Sequence, residues 1–91
     1  MNISRLEFEE DKVFGVIYDH SQNPSKSSVI EVTVDGAIFH ENADVTSSWR
    51  NNYYIEQDEN YLSRKATTEE LEAVLRQTII ETAFKVSKSL K

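Results

Sequence analysis

The chain has 91 residues, a net charge of −6, no cysteine, two glycines and one proline. At this length it makes one domain, because two separate cores would each be too small to fold alone. Missing cysteines exclude a disulfide framework, a thiolate zinc site and a cysteine nucleophile, and an acidic body argues against nucleic acid as the main partner, since phosphates call for Lys and Arg.

The charge is unevenly spread. Residues 1–63 hold twelve acids against four bases, whereas residues 64–91 hold four acids against six bases. The opening "MNISRLEFEEDK" has no basic region followed by an apolar run, so it does not read as a secretory signal. Apolar runs are far shorter than a membrane span, and a cytoplasmic, membrane-free protein is expected. Asn2-Ile3-Ser4 matches a glycosylation sequon, a pattern too common to carry weight.

The first two-thirds read as strands. In "RLEFE", Leu6 and Phe8 share one face and Glu7 and Glu9 the other. "VFGVIY", residues 13–18, is apolar on both faces, the mark of an interior strand. Its Gly15 marks either a bulge or a close approach of another element. "DHSQNPSKSS", residues 19–28, contains the only proline and reads as a loop.

Residues 29–40, "VIEVTVDGAIFH", predict a hairpin turning at Asp35-Gly36. That turn sets Val34 opposite Ala37, Val32 opposite Phe39 and Ile30 opposite Glu41. Glu31 and His40 then pair across the other face. "ENADVTSSWRNN" reads as a second loop, and "YYIEQ" and "YLSR", flanking "DEN", as a last hairpin.

The chain ends in a helix. Thr67 and Glu70 form a capping box, acids Glu69, Glu70 and Glu72 complement its positive end, and Lys85, Lys88 and Lys91 its negative end. Leu71, Val74, Leu75, Thr78, Ile79, Ala83, Val86 and Leu90 recur at helical spacing. Ala73, Ile80 and Phe84 lie beside that stripe and form a candidate oligomer face.

These elements predict an α+β fold: an antiparallel sheet of five or six strands in meander-like hairpins, with one long C-terminal helix packed on one face. The expected core is Leu6, Phe8, Ile17, Ile30, Val32, Val34, Phe39, Leu71, Leu75, Ile79, Ala83 and Val86. An Asp at Val32 or Ile79 should then unfold the protein.

Catalytic patterns are scarce. "HENAD" opens like a zinc-protease helix but lacks the second histidine. Gly15 and Gly36, the only glycines, cannot build a phosphate-cradling loop. No serine sits in a recognisable nucleophile elbow, and the acids lack calcium-loop spacing. The expectation is no enzyme and no cofactor.

Binding remains. "SSWRNNYYIEQDENY", residues 47–61, holds four of the nine aromatics in a polar setting. Trp, Tyr and Arg dominate interface hot spots, because they bury large area at low entropy cost. Alternation sends Tyr53 and Ile55 to one face and Tyr54 and Glu56 to the other. Tyr53 and Ile55 would hold the strand down, with Trp49 placed either at the core's edge or at a partner. Arg50, Tyr54 and Tyr61 would face outward, ringed by Glu56, Asp58 and Glu59. Aromatic anchors with an acidic rim suit a basic protein surface.

The leading expectation is a non-catalytic protein-binding module that masks a partner's surface. Phage-encoded inhibitors and immunity proteins work this way, an analogy of size, charge and architecture only. One alternative is a homodimeric assembly protein using the helix or a sheet edge. A second is a small-ligand or metal-binding protein using His40 and Glu31.

Overall fold

A computed structural model describes residues 2–21, 23–48 and 52–89, the last by its backbone alone. The elements are β1 (Arg5–Phe8), β2 (Lys12–Asp19), β3 (Lys26–Thr33), β4 (Gly36–Ser47), β5 (Tyr53–Lys65) and α1 (Thr68–Ser89). The strands form one five-stranded antiparallel sheet in the order β1-β2-β3-β4-β5, with α1 packed on one face. The α+β meander expected from sequence is therefore the fold, with five strands. Among the described residues, no helix is long and apolar enough to cross a membrane.

β2 is apolar on both sides because both sides are covered. Its Phe14 and Val16 join Val29, Ala43 and Val45 in one buried cluster. On the opposite face, Leu6 and Ile30 pack with Val74 of α1, beside Val13, Ile17, Val32 and Phe39. Gly15 lies under the helix, where an added Cβ would stand 2.7 Å from Val74 Cγ2. Of the two sequence readings of that glycine, close approach is the one found.

The first cluster is closed by the sheet itself. β4 shifts register between Glu41 and Ala43, where Asn42 adopts a φ of 58°. Such an irregularity bends and twists a strand pair. Past it, the distal halves of β4 and β5 curl back towards β1. Arg5 Nη2 donates to the Val45 carbonyl at 2.6 Å, and the Tyr53 amide donates to Glu9 Oε1 at 2.7 Å. Arg5 also bonds Asp44 and the Tyr18 hydroxyl.

Several local expectations are overturned. Residues 41–47 are strand, not loop, and β5 runs unbroken through "DEN" instead of forming a hairpin. The β3–β4 turn is Val34-Asp35, with Thr33 opposite Gly36, Val32 opposite Ala37 and Ile30 opposite Phe39. Thr33 Oγ1 accepts from the Asp35 amide, and Gly36 takes a φ of 139° as the first residue of β4. The slip from the expected pairing is an even number of residues, so each side chain keeps its face. Val34 alone is displaced, from the core to 95% exposure.

The helix begins as expected. Thr67 Oγ1 accepts from the Glu70 amide, and Glu70 Oε1 accepts from the Thr67 amide. It then departs from the expected burial. Leu75, Ile79, Ala83 and Val86 are exposed, Ile79 by 68%, as is Phe8 on β1. Val74, which is fully buried, carries the packing instead.

Candidate functional site

Three features carry the exposed or chemically active side chains: the outer row of β5, a buried polar chain around His40, and the outward side of α1.

On β5, alternation places Tyr53 and Ile55 inward, against the cluster of Phe14, Val16 and Val45. The Glu7 carboxylate, hydrogen-bonding the Tyr53 phenol, pushes its pKa up. Tyr54, Glu56 and Asp58 point the other way and are all exposed, Tyr54 by 49%. Asp44 and Thr46 are their cross-strand neighbours. Glu56, Asp58 and Asp44 line an open groove of about 260 Å³ with Ser27, Asn42 and Gln57. Glu59 is exposed where β5 bows opposite Asn42, and Asn42 Nδ2 donates to the Asn60 carbonyl. The row ends at Leu62, exposed by 64%, which sequence reasoning passed over. As the last strand of the sheet, β5 leaves one edge of its backbone unpaired with any described strand. Trp49 and Arg50 lie outside the described residues.

Tyr61 is not part of that row. It is half-buried and turned inward, where its hydroxyl meets His40 Nδ1 at 2.8 Å. His40 Nε2 in turn meets Glu31 Oε1 at 3.0 Å. A carboxylate only accepts, so Nε2 donates, and in the neutral ring Nδ1 accepts the Tyr61 hydroxyl proton. Sequence reasoning foresaw contact between Glu31 and His40 but set them directly opposite, whereas Glu31 lies opposite Ile38 and His40 opposite Val29, and it did not foresee the third member. Tyr61 escaped because the register shift at Asn42 decides which way residues 58–61 point.

His40 is buried with both ring nitrogens engaged. The chain therefore ties β3, β4 and β5 together and leaves no ring nitrogen open. No group of three His, Asp or Glu among the described residues could hold a metal ion. An open groove of about 460 Å³ runs nearby, lined by Glu31, Thr33, Ile38, Ser63, Arg64 and Lys65 among others.

At the start of α1, Nη1 and Nη2 of Arg64 donate to the Glu70 carboxylate at 2.7 Å each, and the Arg64 cation lies 4.2 Å from the Phe39 ring centroid. That bond and those from Thr67 hold the Glu70 carboxyl below its ordinary pKa against the opposing effect of burial. The helix is thereby anchored at its first turn. Of the candidate oligomer face, Ala73 is half-buried, whereas Ile80 and Phe84 are exposed.

Comparison with models of protein families, with curated proteins and with solved structures finds no match to this chain.

Proposed function

We propose that the protein is a non-catalytic binding module of inhibitor or immunity type, which masks a basic patch on a partner protein with the outer row of β5. The observation that carries this reading is the composition of that row. One exposed face of one strand presents Tyr54, Glu56, Asp58 and Leu62, and neither acid makes an ion pair with a described residue.

Exposed carboxylates are cheaply solvated and give solubility on their own. An exposed tyrosine and leucine on the same face do not serve solubility, and they supply the apolar anchors that an interface core needs. The acids beside them steer a basic partner into place and set its register. The open edge of β5 adds main-chain donors and acceptors that a partner segment can pair with.

The test is a pull-down with the wild type beside a Tyr54→Ala/Glu56→Lys/Asp58→Lys variant whose fold is verified by circular dichroism. Capture by the wild type alone, weakening steeply with salt, is the expected result. Equal capture by both proteins with a flat salt response refutes the reading.

A further inference from the structure

We infer that the groove beside the Glu31–His40–Tyr61 chain binds a small apolar monocarboxylate, held at its head by Lys65 and Ser63 with its hydrocarbon body over Ile38. The strand register builds the site. Glu31 stands opposite Ile38, and Ile38 stands opposite Lys65 on β5. At the next position on the same face, His40 stands opposite Ser63. Directly opposed residues share a face, so one row reads carboxylate, isoleucine, ammonium across three strands. On this face Phe14 and Val29 are buried beneath the curled halves of β4 and β5. The cover stops short of Ile38, which is 45% exposed. The groove left there, of about 460 Å³, has the size of a small-molecule site.

Charge selects the ligand. Glu31 is already matched: Oε1 accepts from His40 Nε2 at 3.0 Å and Oε2 from Lys12 Nζ at 3.4 Å. Arg64 lines the groove too, but its guanidinium is committed to Glu70. Lys65 makes no ion pair with a described residue, and the Ser63 hydroxyl has no hydrogen-bond partner among them. The remaining acid of the lining, Asp35, sits in the β3–β4 turn, three residues and so roughly 10 Å along the chain from the row of Lys65. That is about one Debye length at moderate ionic strength, so salt screens it. A free ammonium and a free hydroxyl therefore stand together on the β5 side. A carboxylate accepts from both, whereas an ammonium ligand would meet Lys65 with like charge.

The spacing of the row sets the ligand's length. Lys65 and Glu31 are two strand spacings apart, roughly 10 Å, with Ile38 midway. A carboxylate seated at Lys65 carries a chain of about six carbons across Ile38 and stops it short of Glu31. Covering the exposed side of Ile38 supplies the apolar part of the affinity. The head group supplies orientation, as the few polar groups of an apolar site do.

Hexanoate, hexylammonium and 1-hexanol share a body and differ in the head, so they are the probes. NMR titration of the full-length protein should show saturable shifts with hexanoate, centred on Ile38, Ser63 and Lys65. Hexanoate should bind about fivefold more tightly than hexylammonium at low salt, the scale of one exposed ion pair. Lys65→Met should erase that preference, and Lys65→Glu should reverse it. Ile38→Ser should weaken all three probes, whereas Asp35→Asn should leave hexanoate bound. Lys65 and Asp35 are exposed, so their variants should melt like the wild type. No saturation with hexanoate, tighter binding of hexylammonium by the wild type, or a preference that survives Lys65→Met overturns the proposal. So do shifts centred on Tyr54 and Leu62 instead. Lys65 and Ser63 lie on the other face of β5 from the outer row, so the Tyr54→Ala/Glu56→Lys/Asp58→Lys variant should bind hexanoate at Lys65 like the wild type. Neither reading stands or falls with the other.

Discussion

Gly15 tests whether α1 crosses β2 where the structure places it. The residue is buried, and a Cβ built on it would stand 2.7 Å from Val74 Cγ2, with Ile3 Cδ1 next at 3.5 Å. Val74 cannot swing aside cheaply. Its χ1 is restricted within a helix, and the side chain is fully buried. Gly15→Ala should therefore cost about 1–3 kcal/mol of overpacking, offset by roughly 0.5–1 kcal/mol because the unfolded chain is stiffer. A net loss of roughly 1–2 kcal/mol lowers Tm by about 4–8 °C per kcal/mol in a domain of this size. Val74→Ala alone should cost roughly 1.5–3 kcal/mol through lost methyl burial and a residual cavity. In the double variant the new methyl enters the space that Val74 vacates. The combined loss should fall short of the sum of the two single losses by about 1 kcal/mol or more, a coupling expected only of residues in contact. Urea denaturation of the four proteins measures this directly. Additivity to within about 0.3 kcal/mol would refute the packing of α1 over Gly15.

Three further outcomes follow. Glu70→Gln should cost about 1–2 kcal/mol at neutral pH by weakening the paired bonds from Arg64. Because the folded pKa of Glu70 lies below its ordinary value of about 4.5, that stabilisation is present above pH 4.5 and is lost as pH falls through the folded value. Thermal melts of the two proteins should therefore converge once the pH is below that lowered value; a gap that does not narrow at any acid pH would contradict the assignment. Arg5→Met should destabilise by about 1.5–3 kcal/mol, because it removes the bonds to the Val45 carbonyl and to Asp44 together. Amide exchange should then speed up in residues 43–47 before it does in β3; uniform exchange would argue against the curl. Val34→Asn should change stability by no more than about 0.5 kcal/mol, since the side chain is 95% exposed; a larger loss in urea would return it to the core.

Local chemistry was legible in the sequence wherever the deciding partners lie close along the chain. The capping box of Thr67 and Glu70 is such a case, and so is the two-sided apolar run of β2. The Asp35-Gly36 signal correctly announced a hairpin but not its phase, because Gly36 serves equally inside the turn or just after it. The Thr33 hydroxyl, holding the Asp35 amide, accompanies the second arrangement. Residues 41–47 were read as loop because Asn42 and Asp44 are poor strand formers. What holds them in a strand is remote: Asp44 answers to Arg5 and Tyr18, 39 and 26 residues away. The same distance hid the inward turn of Tyr61. Its partner His40 lies 21 residues back, across a register shift that no local pattern announces.

Periodicity identified α1 but could not say which stripe faces the sheet. Two stripes were available, one rich in Leu, Ile and Val, the other built on Glu70, Val74, Thr78 and Glu81. Hydrophobicity alone favours the first. The second prevails because the first turn is fixed by Arg64 to Glu70 and by the Thr67 cap. Gly15 then admits a close approach only at Val74, and with both points set the rotation of the helix is set as well. The displaced residues Leu75, Ile79, Ile80 and Phe84 stay exposed. One face of the sheet is occupied by α1 itself, and the other by the curled halves of β4 and β5.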